Sequence, residues 1–389
     1  MNGNIRVGSL FGIPFFVNPS WFLILGLVTW QFGEFLAAQF TQLGPGLPWL
    51  LGLVAALLMF SSVLAHELGH SFVAIYQGIE VKSITLFLFG GLASLDSESK
   101  SPAGAFWVAI AGPLVSLALF ALLTFIGVTV SLSAPLETIV GLLAYINLVL
   151  ALFNLIPGLP LDGGNILKAL VWKITGNPQK GVVFASRVGQ FIGWMGISFG
   201  VLSILGLSQF GSLWTLLIGI FLLQNAGRMA QSATLQEQLM KLSAADALLP
   251  ENPIVKADLS LREFANEHII GSQQTWRRFL VVDDNGQLLG GVDVEAMKTV
   301  PTSQWPEITV RDLMTPEETP VTIQATAPLL DAAKLIEEKQ VAQVIVVRED
   351  GALLGLLEKA SIFQALQAQM QETGTGQRAP ASTKPDATS

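Results

Sequence analysis

His66, Glu67 and His70 form an H-E-x-x-H motif, and that spacing suits a metal. An α-helix turns about 100° per residue, so positions i and i+4 share one face. Two imidazoles on one face can grip a single Zn²⁺, and the glutamate beside them can take a proton from water. The motif lies inside an apolar run from Leu47 to Tyr76 that carries few polar residues outside it. Ionisable side chains at bilayer depth are costly and mark function. A chance match would leave two of the chain's three histidines buried in lipid without a use. The third, His268, falls in a different region.

Two histidines leave a catalytic zinc site short of a third protein ligand. The segment Asn154-Leu155-Ile156-Pro157-Gly158-Leu159-Pro160-Leu161-Asp162-Gly163-Gly164-Asn165 offers one. Asp162 supplies a hard anionic oxygen and balances the metal's charge in a low dielectric. Asn154 has an amide N–H for a peptide carbonyl or a developing oxyanion. The two prolines halt a regular helix, and non-helical backbone at depth is tolerated where it lines a cavity. The competing reading of Asp162 is a glycine-capped surface turn.

The elements that must position these residues follow from composition. The 389 residues are 51% hydrophobic and 13% charged, which indicates a membrane protein. Residues 1–231 carry a net charge of +1 and residues 232–389 a net charge of −9, so an embedded region precedes an acidic soluble one. Nothing suggests a nucleic-acid partner. There is no cysteine, which excludes disulfides and thiolate metal sites.

Residues 1–18 read as an extended or interfacial lead-in, because Gly12 and Pro14 oppose helix. Six spans follow, at roughly 19–38, 47–76, 103–130, 136–155, 182–205 and 213–229. The first is too long for a signal h-region and is expected to stay as an anchor. Ser83 to Leu95 is too short to span, and Gly90-Gly91 punctuates it, so a β-hairpin at the membrane face is expected. Such a strand either offers an open edge to an extended peptide or is simply structural. In the third span Gly112 permits close helix approach, and Pro113 frees a carbonyl.

With the N-terminus inside, the outer loops 39–47, 131–135 and 206–212 hold no Lys or Arg. The positive-inside rule then puts both termini in the cytosol. His66 lies about 28 Å from the outer end of its helix and about 15 Å from the inner end, at 1.5 Å per residue.

The H-E-L-G-H motif, the N-x-x-P-x-x-P-x-D-G-G segment, the Phe89-Gly90-Gly91 hairpin and the Ala111-Gly112-Pro113-Leu114-Val115-Ser116 run together resemble the site-2 protease family of intramembrane zinc metalloproteases. The resemblance covers most of residues 1–231. It implies one zinc bound by His66, His70 and Asp162, with Glu67 as general base. It implies Asn154 in substrate or oxyanion binding and the hairpin at Gly90 and Gly91 in guiding substrate. The substrate would be a membrane protein segment, locally unwound for cleavage, such as an anti-sigma factor or a signal-peptide remnant.

Residues 243–300 and 309–369 form an internal repeat after a linker at 232–242. Val281 to Gly290 parallels Val346 to Gly355, and Asp-Asn-Gly and Glu-Asp-Gly mark the hairpin turns. The pair resembles tandem CBS domains, α/β modules, which implies a regulatory role, an adenine nucleotide as ligand, and homodimerisation. Nucleotide-binding units carry Ser/Thr-x-x-Asp after the last strand, and neither Gly291–Ala296 nor Gly355–Ala360 has it. Residues 371–389 are rich in small and polar residues and are expected to be disordered. The fold class is thus a six-helix α-helical polytopic membrane region with a β-hairpin, followed by an α/β CBS pair. A CBS-regulated transport protein, or a proteolytically silent scaffold with a structural metal, is the alternative.

Overall fold

A computed structural model describes residues 3–87, 90–248, 252–270, 276–316 and 320–375. Phe89 of the expected hairpin and residues 376–389 of the expected disordered tail lie outside the described residues. Two compact units meet at Thr234/Leu235.

The first unit opens with strands β1 (Ile5–Leu10) and β2 (Ile13–Val17), so the lead-in is extended, as one of the two expected forms, and folds as a hairpin. Gly12, at φ +84°, makes its turn. Asn18 then caps α1 (Pro19–Gln39) by accepting from the Ser20 amide at 3.0 Å. Helix α2 (Leu47–Tyr76) packs on α1 and carries the H-E-x-x-H motif. Strands β3 (Val81–Phe87) and β4 (Gly90–Leu95) follow. The expected hairpin is therefore half of a four-stranded sheet in the order β1-β2-β3-β4. β2 pairs with β3 in parallel, and β1/β2 and β3/β4 are antiparallel. β4 is an edge strand.

Helix α3 (Pro102–Thr129) runs through Pro113 without ending there, and α4 (Ala134–Asn154) packs against it. A short amphipathic helix, α5 (Asp162–Thr175), separates α4 from α6 (Pro178–Ile204). At 14 residues it does not span. Helix α7 (Leu213–Lys241) closes the unit, and the stretch expected as a linker is helical as far as Lys241. α6 and α7 approach closely, with the Gly193 Cα side against the Gly219 carbonyl. Six of these helices are long and apolar enough to cross a membrane. Their outward faces are apolar, with Trp30, Phe125 and Val128 exposed.

In the second unit the end of α7 packs into a core with residues of the C-terminal repeat, Leu239 against the cluster of Leu329, Ile336, Val344 and Leu357. The first repeat holds β5 (Ile254–Lys256), α8 (Leu261–Phe264), β6 (Arg278–Val282) and β7 (Leu288–Asp293). The second holds α9 (Val310–Leu313), β8 (Thr315–Pro316), β9 (Thr322–Gln324), α10 (Leu329–Lys339), β10 (Gln343–Val347), β11 (Leu353–Glu358) and α11 (Lys359–Thr375). α11 thus carries helix into the first residues of the expected tail. In each repeat a parallel strand pair is joined to an antiparallel hairpin, β5-β6-β7 and β9-β10-β11. Leu280, Val282, Ile345 and Leu356 form the core between the repeats, and the two hairpin turns meet where the Leu353 amide donates to the Gly286 carbonyl at 2.8 Å. The repeats differ in their first helix: α10 is a regular helix, whereas α8 runs into a π-helical turn at Ala265–Ile270.

Candidate metal centre

His66 and His70 project from one face of α2, as their spacing requires. Asp162, at the first position of α5, meets them. Asp162 Oδ2 lies 3.1 Å from His66 Nε2 and 3.3 Å from His70 Nε2, and the two Nε2 atoms are 3.3 Å apart. Four ligands at zinc bond lengths sit about 3.3 Å from one another in a tetrahedron, so the three atoms outline one face of such a site.

The other ring nitrogens fix the chemistry. His70 Nδ1 donates to the Val108 carbonyl at 2.7 Å, because a carbonyl only accepts. With Nδ1 carrying the hydrogen, Nε2 is the nitrogen that faces Asp162 and can serve as a ligand. His66 Nδ1 pairs with the buried Ser116 hydroxyl at 2.9 Å. Lone pairs and a carboxylate that converge this way call for a cation, and the donor set of two imidazoles and one carboxylate fits zinc.

Helix α3 supplies the backing. Val108, Gly112 and Ser116 are spaced by four and lie in one stripe. The first offers a carbonyl, the second no side chain, the third a hydroxyl. A Cβ at Gly112 would run into His70 Nε2 and would approach His66 Nε2 at 2.7 Å. The role of Gly112 is therefore to make room for the imidazoles; the helix–helix contact falls instead at Gly69, which faces the Ala111 carbonyl.

Asp162 is positioned by irregular backbone. The chain between α4 and α5 folds back so that the Leu161 amide donates to Gly158 O at 3.0 Å and the Gly164 amide to Leu161 O at 2.9 Å. Leu159 is tied to α6 through the Ala185 carbonyl at 3.2 Å. Side chains at Gly163 and Gly164 would collide with the backbone of Leu155 and Gly158.

A cavity of about 470 Å³ contains the cluster. Glu67 lines it and takes a hydrogen bond from the Ala93 amide of β4. Gly91 abuts the Glu67 side chain, leaving no space for a Cβ. Gly90 and Asn154 line the same cavity. All residues singled out in the sequence are thus brought together. Ser116, the Val108 carbonyl, Asn165 and Lys168 join them without having been anticipated. The first two were within reach, because the A-G-P-L-V-S run places Ser116 four residues after Gly112.

The model of peptidase family M50 matches residues 54–133 and 129–197, and the CBS domain model matches residues 310–368. A protein of Synechocystis sp. named as a zinc metalloprotease is 58% identical over 367 residues, which cover 94% of this chain and 96% of that one. The chain belongs to peptidase family M50. This M50 member is a zinc-dependent metalloprotease and a multi-pass integral membrane protein with a C-terminal CBS region. A zinc metalloprotease of Methanocaldococcus jannaschii is 28% identical, covering 94% of this chain and 97% of that one. The solved site-2 protease of the same organism is 28% identical over 58% of this chain and 95% of its own, with a TM-score of 0.43.

Proposed function

We propose that this M50 protease cleaves peptide bonds in or near transmembrane segments, at one zinc per chain held by His66, His70 and Asp162. The observation that carries the reading is the convergence of those three ligand atoms within one cavity that also holds Glu67. Zinc, when bound, supplies a Lewis acid that polarises a carbonyl and acidifies water. Glu67 accepts a proton from the attacking water and returns it to the leaving amine nitrogen. The Ala93 amide holds its carboxylate in place. Asn154 donates its amide N–H to the substrate carbonyl. An extended substrate segment lies along the outer edge of β4, past Gly90 and Gly91, and takes its main-chain hydrogen bonds there.

The lysine and arginine distribution supports a cytosolic location for both termini and an active site nearer the cytosolic face. The CBS pair then lies on that side and regulates the protease. Anti-sigma factors and signal-peptide remnants are the substrate classes that suit such an enzyme, and the work is regulated intramembrane proteolysis. The CBS pair is also the surface through which two chains associate, and a change of kcat/KM on adding ATP or AMP tests its use of an adenine nucleotide.

The deciding experiment compares cleavage of a reporter transmembrane peptide by the purified protein and by Glu67→Gln, with zinc measured on the same samples. Turnover in the wild type, lost in the variant with zinc retained, is expected. Equal turnover by both proteins would overturn the role of Glu67, and zinc retained by Asp162→Ala at full stoichiometry would overturn the ligand set.

A further inference from the structure

Lys168 has no part in this scheme, yet its side chain is only 12% exposed and lines the same cavity. It is the single Lys or Arg among the described lining residues. It sits on α5, six residues after Asp162. Its Nζ contacts Glu98 Oε2 at 2.6 Å, and Glu98, between β4 and α3, is 78% exposed.

We propose that Lys168 forms a subsite for an acidic side chain of the substrate, and that Glu98 holds its place between substrates. A mostly buried ammonium without an anion is costly, so Lys168 needs a carboxylate at all times. An exposed partner contributes little and is exchanged easily, because its carboxylate is already largely hydrated. A peptide laid along β4 passes Glu98 and Ser99, which also line the cavity. An acidic residue on that flank takes over Nζ and releases Glu98 to water. A basic residue there would oppose Lys168 and is disfavoured. Glu67 and Asp162 also face the cavity, so an acidic residue beside the cluster itself is repelled; the preference belongs to the flank at Lys168.

This inference rests on the reading of the cavity as a peptide-cleaving site. The test uses reporter peptides with Asp, Asn or Lys at successive positions on both sides of the cleaved bond, and reads the Asp-to-Asn ratio of kcat/KM. At one or two neighbouring positions the wild type is expected to favour Asp about tenfold, the equivalent of about 1.4 kcal/mol. Lys168→Gln levels the ratio, Lys168→Glu turns it in favour of Asn and makes Lys the preferred residue there, and Glu98→Gln raises it. A ratio the same in all four proteins at every position overturns the subsite. A second measurement needs no turnover. The chain has no cysteine, so Ser99→Cys in the Glu67→Gln protein gives a unique thiol at the cavity. Capture of peptides whose cysteine is activated as a thiopyridyl mixed disulfide, by exchange that releases thiopyridone, is expected to be faster with Asp at the preferred position, and the advantage is lost with Lys168→Gln. Capture indifferent to Lys168 overturns the subsite alone, whereas absent hydrolysis by the wild type overturns the protease reading.

Discussion

Two segments deliver ligands to the same point by opposite means. α2 presents His66 and His70 through helical periodicity, and any helix through that depth with the same two residues would do so. The connection from α4 to α5 presents Asp162 through backbone that no periodicity describes. It is held by the Leu161, Gly158 and Gly164 amide–carbonyl contacts and by the tie to Ala185 on α6. The first arrangement tolerates change on every face but one. The second depends on residues that never touch the metal.

Both imidazoles border Gly112 of α3, and the largest loss is expected there. Gly112→Leu fills the space of both imidazoles, so zinc content measured by atomic emission should fall to background, and turnover with it. The next effect separates the two segments. Gly164→Ala, which would collide with Gly158, should displace Asp162 and weaken zinc by about a hundredfold or more. Leu58→Ala, on an outward face of α2, should leave zinc affinity unchanged in the same competition titration. Equal losses from the two would end the distinction. A smaller effect is expected from Ser116→Ala. Removing the partner of a ligating histidine typically costs ten- to a hundredfold in metal affinity, with the ligands themselves intact.

This contrast explains what could be read from the chain alone. Five of the six spans were legible to within a few residues, because unbroken apolarity and a helix of bilayer length leave little choice. The sixth, α7, runs well past Met229 because helical propensity continues from Gln231 to Lys241 after hydropathy fades. The position of the histidines was legible for the same reason as α2 itself. Asp162 was visible as a residue type beside two prolines, but the glycine contacts that aim it were not, since Gly158 meets Gly189 across the fold and Gly164 meets Leu159 through a backbone turn that no periodicity describes. The lead-in at β1 and β2 was legible as extended, but its pairing into a sheet was not. Residues 5–17 lack alternation, and β1 is exposed throughout, so only pairing with β3 shows what the lead-in is for. Lys168 was invisible because its meaning lies in Glu98, 70 positions away.

In the second unit two short helices are started by local contacts alone, and the smallest effects are expected there. Ser260 with Glu263 and Thr309 with Asp312 close capping boxes. Hydrogen bonding to Ser260 holds the Glu263 carboxyl below its usual range, and hydrogen bonding to Thr309 does the same for Asp312. Both folded values lie below the unfolded ones. The stabilisation is therefore complete above about pH 5, and is lost as pH falls through the folded values. Ser260→Ala should lower the thermal midpoint of the full chain by a few degrees at most near neutrality and flatten its fall in acid. An unchanged acid profile would show that the box is not the source.

The order of the repeats along the chain is not the order in which they are reached. Leu239 near the end of α7 and Ala244 just beyond it are built into the core of the second repeat, and the Ala244 amide donates to Ala327 O at 2.8 Å. Asn252, just before β5 of the first repeat, accepts from the Leu356 amide in the last strand of the second, and β8, beyond the first repeat, completes the first repeat's sheet. The two repeats are thus stitched by exchanged segments, so truncation after the first should leave neither half folded, and the unit should melt in a single cooperative step. A disturbance in the C-terminal repeat is felt at the foot of α7 without passing through the repeat that precedes it in sequence.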